Sequence, residues 1–171
     1  VQYMPNVQQM QREGMTFTNY FVTDSLCCPS RASIFTGLFP HNHGVLTNTA
    51  PGGGFAEFRR GGAQTETFAT ALNDAGYRTA MMGKYLNGYH PRSHFVPPGW
   101  SNWQVPGSAY GGFRYVMNAN GRAEHYGKRR RALITHVLRR RGKAFVSRVA
   151  RQGQPFLKSV ARSAPHHPYP S

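Results

Sequence analysis

The chain has 171 residues, 39% of them hydrophobic, enough for one domain with a buried core and too apolar for a disordered segment. No run approaches the roughly 18 apolar residues of a membrane span, and two cysteines are too few for a disulfide framework while leaving the redox setting open. The formal charge of +15 is unevenly placed: residues 1–125 carry nine Lys/Arg and six Asp/Glu, whereas residues 126–171 carry twelve and no acid.

The first residue is Val1 rather than methionine, so a partial sequence is expected, and the lack of a signal peptide leaves the compartment open. Residues 6–13 suit a short helix, with Val7 and Met10 a turn apart and Gly14 as a stop. Residues 15–22 (MTFTNYFV) are rich in aromatic and β-favouring types and read as a strand. Residues 30–36 look helical, ended by Gly37, and residues 40–64 form a long loop carrying PHNHG and GGG. A helix over 65–75 would share a face of Phe68, Ala71, Leu72 and Ala75 before Gly76.

Residues 77–82 (YRTAMM) read as a strand entering Gly83-Lys84, and Pro and Gly make 91–112 an irregular connection with two tryptophans. Helical spacing returns over 133–151, interrupted by Gly142 and ended by Gly153, and 155–161 (PFLKSVA) is a further strand. Helices alternating with strands give an α/β class: a parallel or mixed central sheet flanked by helices.

The stretch 24–37 (DSLCCPSRASIFTG) holds both cysteines. Pro29 suits a first helical turn, which puts Cys27 and Cys28 at a helix N-terminus, where free N–H groups favour an anion. Arg31 adds a planar charge suited to sulfate, phosphate or carboxylate, and such a setting marks a reactive thiol. Two small core cysteines beside a surface arginine explain the same residues. The His41-x-His43 spacing is ligand-like, but one pair cannot complete a metal site. Gly52-Gly53-Gly54 lacks the strand, helix and Lys-Ser/Thr of a phosphate loop. The basic runs 128–131 and 139–141 offer an alternative function: a non-catalytic protein binding nucleic acid or an anionic polymer through residues 128–151.

Cys27-Cys28-Pro29-Ser30-Arg31 resembles the Cys-x-Pro-Ser-Arg signature of the type I sulfatases, and residues 32–37 (ASIFTG) continue it. MPNVQQM, GMTFTNYFV, TFATALNDAGYRTAMMGKYLNGY, VPPGW and NANGRAEHYG are similar to the family as well. LCCPSRAS followed by PHNHGV is most similar to the branch with N-acetylglucosamine-6-sulfatases and their bacterial relatives. The resemblance covers residues 1–127 closely; 128–171 is a basic, divergent tail of the same partial catalytic domain.

The resemblance implies an alkaline-phosphatase-like fold and hydrolysis of a sulfate ester, plausibly of a 6-sulfated amino sugar. It implies that a separate formylglycine-generating enzyme converts Cys27 to formylglycine, whose hydrate attacks sulfur. Cys28 would fill a variable position and only pack, and Arg31 would stabilise the hydrated aldehyde and metal site. Lys84 would bind a sulfate oxygen. Leu86 stands where many members have histidine, so Asn87 would supply a polar substrate contact. His166, in APHHPY, would face the leaving-group oxygen as an acid.

The family also binds a divalent cation, usually calcium. Of its protein contacts only Cys27, as formylglycine, is expected here, because Asp24 and Asp74 match no ligand position. Lys158 and Arg162 interrupt a strand expected to be apolar. An incomplete fold, poor solubility and an inactive isolated chain are the corresponding expectations. The expected partners are the modifying enzyme and a sulfated carbohydrate or other sulfate ester, not a membrane or nucleic acid.

Overall fold

A computed structural model describes residues 2–163 and residue 166. Helix α1 (Pro5–Glu13) is entered through Pro5 and buries none of its side chains. Residues 15–22, expected as a strand, form none, and Phe17, Tyr20 and Phe21 stand exposed. β-propensity stabilises a strand only through its neighbours, and no described strand lies beside this segment.

Helix α2 (Cys27–Thr36) starts at the first cysteine, with Pro29 in its first turn, and ends on Gly37 at φ 74°. The expected loop 40–64 instead holds two helices, α3 (Pro40–His43) and α4 (Gly54–Arg60). Both are short, and α3 closes on Gly44 in the left-handed region, so glycine punctuation concealed them. Helix α5 (Phe68–Asp74) is narrower than expected because Thr67 and Thr70 form a reciprocal capping box at its start. Its buried position is Ala69, with Ala71 exposed, one residue away from the expected face.

Strand β1 (Arg78–Gly83) leads into β2 (Asn102–Pro106), hidden in the expected irregular stretch. Strands β3 (Tyr115–Ala119) and β4 (Arg122–Tyr126) make a hairpin around Asn120 and Gly121, with φ of 53° and 83°. That pair of positive φ values is the two-residue turn favoured by Asn-Gly. Helix α6 (Ile134–Arg151) runs through Gly142 unbroken, and β5 (Phe156–Ala161) closes the chain's regular structure. Gly142 does not interrupt α6 because it is buried, with Lys158 and Met82 at ordinary van der Waals distance of a would-be Cβ.

The sheet is mixed, in the order β4-β3-β2-β1-β5. β1 is parallel to β2 and β5, and β2, β3 and β4 are antiparallel. Alternation along β1 sorts the core. Met81 faces Phe35, Phe58, Tyr85 and Trp103 on the side of α2 and α4, whereas Ala80 and Met82 face Val137, Leu138 and Phe145 of α6. β5 lies at an edge, so Lys158 and Arg162 reach the surface and avoid the expected burial. No described helix is long and apolar enough to cross a membrane.

Candidate active site

The parallel pairing of β1 and β5 carries Gly83-Lys84 to the sheet's C-terminal edge, where the Lys84 N–H donates to the Ala161 carbonyl at 2.8 Å. Gly83 is required there: it adopts φ 96°, and a Cβ would come 2.0 Å from the Ala161 oxygen. Strand ends of this kind are where open α/β sheets place their ligands.

Helix α2 approaches the same edge. Arg31 sits one turn after Cys27 and donates through Nη1 to the Lys84 carbonyl at 2.9 Å. A single hydrogen bond thus ties the signature to a lysine 53 residues away. Burial lowers the Arg31 pKa from its ordinary value, while Cys27, Cys28 and Tyr110 oppose that shift when ionised. The guanidinium remains charged at neutral pH.

The two cysteines separate clearly. Cys27 is half-buried in a cleft of about 360 Å³ shared with Ser30, Arg31, Ser159 and Ala161. Cys28 is fully buried, and it does more than pack. Its N–H donates to Asn48 Oδ1 at 2.8 Å, and its Sγ accepts the Asn87 N–H at 3.1 Å. Burial raises its pKa; the Asn87 hydrogen bond pulls the other way without cancelling the shift.

Beyond Lys84 lies a second cavity of about 220 Å³, lined among others by Lys84, Asn87, Ser108, Tyr110 and Ser163. Lys84 Nζ donates to Tyr110 Oη at 2.5 Å. The imidazole of His166 stacks on Tyr110, with ring centroids 4.3 Å apart. Asn87 Oδ1 is buried with no hydrogen-bond partner among the described residues. Lys84 and Asn87 therefore line one cavity, His166 stacks on Tyr110 of its wall, and Cys27 and Arg31 line the neighbouring cleft, tied to Lys84 through the Arg31 hydrogen bond. Tyr110 was not singled out from the sequence, since it lies 26 positions from the Lys84 it contacts.

His41 and His43 do not act as a pair. His41 stacks on Phe39, whereas His43 is buried with both ring nitrogens engaged. Nδ1 accepts the Val45 N–H at 3.1 Å, so Nε2 carries the proton and faces Ser33 Oγ at 3.0 Å. This tautomer donates to Ser33 and cannot serve it as a base. His43 ties α3 to α2 rather than holding a metal.

The described residues contain no group of three or more His, Cys, Asp or Glu able to hold a metal ion. The charged side chain lining the Cys27 cleft is Arg31, and the Asp24 carboxylate is taken up by the Leu26 N–H at 2.6 Å. These groups do not fit a calcium site by themselves.

The family model for sulfatases matches residues 1–171. The chain belongs to the sulfatase family. This sulfatase chain is similar to human N-acetylglucosamine-6-sulfatase, 39% identical over 120 residues, or 67% of this chain and 22% of that protein. It is also similar to an extracellular sulfatase SULF-1 homolog of Drosophila melanogaster, 36% identical over 128 residues, or 73% of this chain and 11% of that one. It thus spans less than a quarter of either relative.

Among solved structures, a protein in complex with its substrate D-glucosamine-2-N,6-O-disulfate superposes with a TM-score of 0.73 at 25% identity. The match covers 96% of this chain and 30% of that one. A protein of Bacteroides thetaiotaomicron superposes with a TM-score of 0.76 at 18% identity over 99% of this chain and 38% of its own, which speaks to the fold alone. The α/β fold is accordingly part of the alkaline-phosphatase-like sulfatase architecture. The alternative of a basic polymer-binding protein finds no support in these matches. The runs that prompted it are also partly spent inside the molecule. Arg141 turns onto the sheet, bonding Gln104 Oε1 at 2.6 Å, Tyr126 Oη at 2.8 Å and the carboxylate of Glu124.

Proposed function

We propose that the protein carrying this chain hydrolyses the sulfate ester of a sulfated carbohydrate, with Cys27 as the residue converted to formylglycine. The observation that carries the reading is the Arg31–Lys84 hydrogen bond, which joins the cysteine signature to the lysine at the end of β1. The structure solved with a disulfated glucosamine, and the N-acetylglucosamine-6-sulfatase relative, favour a 6-sulfated amino sugar as substrate.

The hydrated aldehyde, once formed, supplies one hydroxyl to bond sulfur and a second whose deprotonation releases sulfate. The remaining roles fall to side chains in place. Cys27 lies at the α2 N-terminus, whose helix dipole favours negative charge. Arg31 holds a positive charge one turn away, and its bond to the Lys84 carbonyl fixes the spacing between helix and lysine. Lys84 directs an ammonium into the cavity to meet a sulfate oxygen. In this reading Asn87 offers a polar contact to the sugar, and His166, which stacks on Tyr110, protonates the leaving oxygen.

Co-expression with a formylglycine-generating enzyme, followed by mass spectrometry of the peptide ending at Arg31, tests the assignment. Conversion of Cys27 with Cys28 left as thiol is the expected result. An intact Cys27 thiol would count against the whole reading. In the longer protein, Lys84→Ala is expected to lower sulfate release from D-glucosamine 6-sulfate at least a hundredfold, the scale of losing one preorganised charge-stabilising donor.

A further inference from the structure

Residues 107–112 gave no functional signal in the sequence, yet they set Tyr110 directly against Lys84. The Lys84 ammonium is 2.5 Å from the phenolic oxygen and 5.0 Å from the ring centroid. It therefore lies off the hydroxyl edge, not over the ring face. An ammonium has three donors and no acceptor. The phenolic oxygen accepts from Lys84, and its own proton is left to be donated elsewhere.

His166 braces one face of the ring at 4.3 Å and an interplanar angle of 23°. Tyr110 and Lys84 line the same cavity, and no carboxylate is among the described residues around it. Two adjacent donors, one charged, with no acid to neutralise them, suit an oxyanion better than a neutral hydroxyl.

We propose that Tyr110 is a substrate-binding residue, its O–H and the Lys84 ammonium donating to neighbouring oxygens of the substrate's sulfate group while its ring walls the sugar. This rests on the sulfate-ester reading above. It also gives the phenol a role in specificity, because its bond to an anionic oxygen is charge-assisted and is lost when the sulfate is absent.

The test is a calorimetric titration of the longer protein, with Cys27 left as the thiol, with D-glucosamine 6-sulfate and, separately, with D-glucosamine. Wild type is expected to bind the sulfated sugar more tightly. Tyr110→Phe keeps the ring and its stack on His166, and is expected to weaken the sulfated sugar about tenfold while leaving the unsulfated one unchanged. Tyr110→Ala, whose fold is checked by circular dichroism, is expected to weaken both. Wild-type affinity for the sulfated sugar in Tyr110→Phe, or an equal loss for both sugars, would overturn the assignment. If Lys84→Ala erases the preference for sulfate and Tyr110→Phe does not, the sulfate site stands and only the Tyr110 proposal falls. If wild type shows no preference at all, the sulfate reading of the cavity fails and takes the Tyr110 proposal with it.

Discussion

Asn87 donates its backbone N–H to the sulfur of Cys28 across 3.1 Å, joining the first turn of α2 to the turn that follows Lys84. Cys28 is thus a structural node between the two segments that bear the candidate site, a role that no local motif announces. Cys28→Ala would leave that buried N–H without its acceptor and open a small void, at a cost of about 1–3 kcal/mol. Cys28→Ser keeps an acceptor of similar size and is expected to cost less than the alanine. Denaturant midpoints of the two variants check the order. The same burial protects the thiol, so iodoacetamide on the native chain is expected to label Cys27 and spare Cys28 until the protein unfolds.

His43 gives the fold a dependence on acid. Burial holds its pKa below the ordinary 6.5, and its neighbours are Ser33, the Val45 N–H and the positive-capable His41. Above pH 6.5 both folded and unfolded forms are neutral, and its full contribution is present. Below that value the unfolded chain takes up the proton first, so stability falls until the folded value is reached and then levels off. Protonating Nδ1 would also remove the acceptor for Val45. Thermal melts from pH 8 to pH 5 are expected to show this loss in wild type and a shallower one in His43→Gln. Parallel curves would disprove the assignment.

Arg141 is the member of the basic tail that the fold uses most. It reaches from α6 to Gln104 of β2 and to Glu124 and Tyr126 of β4, with its side chain 30% exposed. Hydrogen bonds to a charged group, discounted for partial exposure, set the loss in Arg141→Ala at about 1–2 kcal/mol. Arg139→Ala, for which no such contact to the sheet is seen, is expected to change the melting temperature little. Equal effects of the two would show that Arg141 is simply another surface charge.

The sequence exposed the parts of this architecture that local chemistry determines. Pro29 before a short apolar run marks the start of α2, and Gly37 marks its end. The link between Cys27 and Lys84 was legible only through motifs, because nothing in composition says that residues 27 and 84 share one sheet edge. Asn120-Gly121 carried a hairpin signal that the surrounding polar residues masked. The strand expected over 15–22 failed for a different reason. Its aromatic composition states a preference for pairing, and pairing is a property of neighbours rather than of the segment. Tyr110 lay beyond reach altogether, since a tyrosine among glycines and serines acquires meaning only from the lysine that the fold brings to it.

Gly83 shows how tightly the site is bound to the sheet beneath it. Two separate demands meet at this residue: a φ of 96°, and a carbonyl from β5 in the space a Cβ would fill. Gly76 shares only the first, with φ 85° and open space around the would-be Cβ. The pair therefore separates backbone strain from steric exclusion. Gly76→Ala is expected to cost about 1–2 kcal/mol, the penalty of a left-handed conformation alone. Gly83→Ala must in addition push β1 away from β5 next to the Lys84 N–H, and is expected to cost more than about 3 kcal/mol or to prevent folding. Urea midpoints measure both. If the two substitutions cost the same, the β1–β5 contact yields easily, and Lys84 is held less firmly than the 2.8 Å bond of its N–H to Ala161 implies.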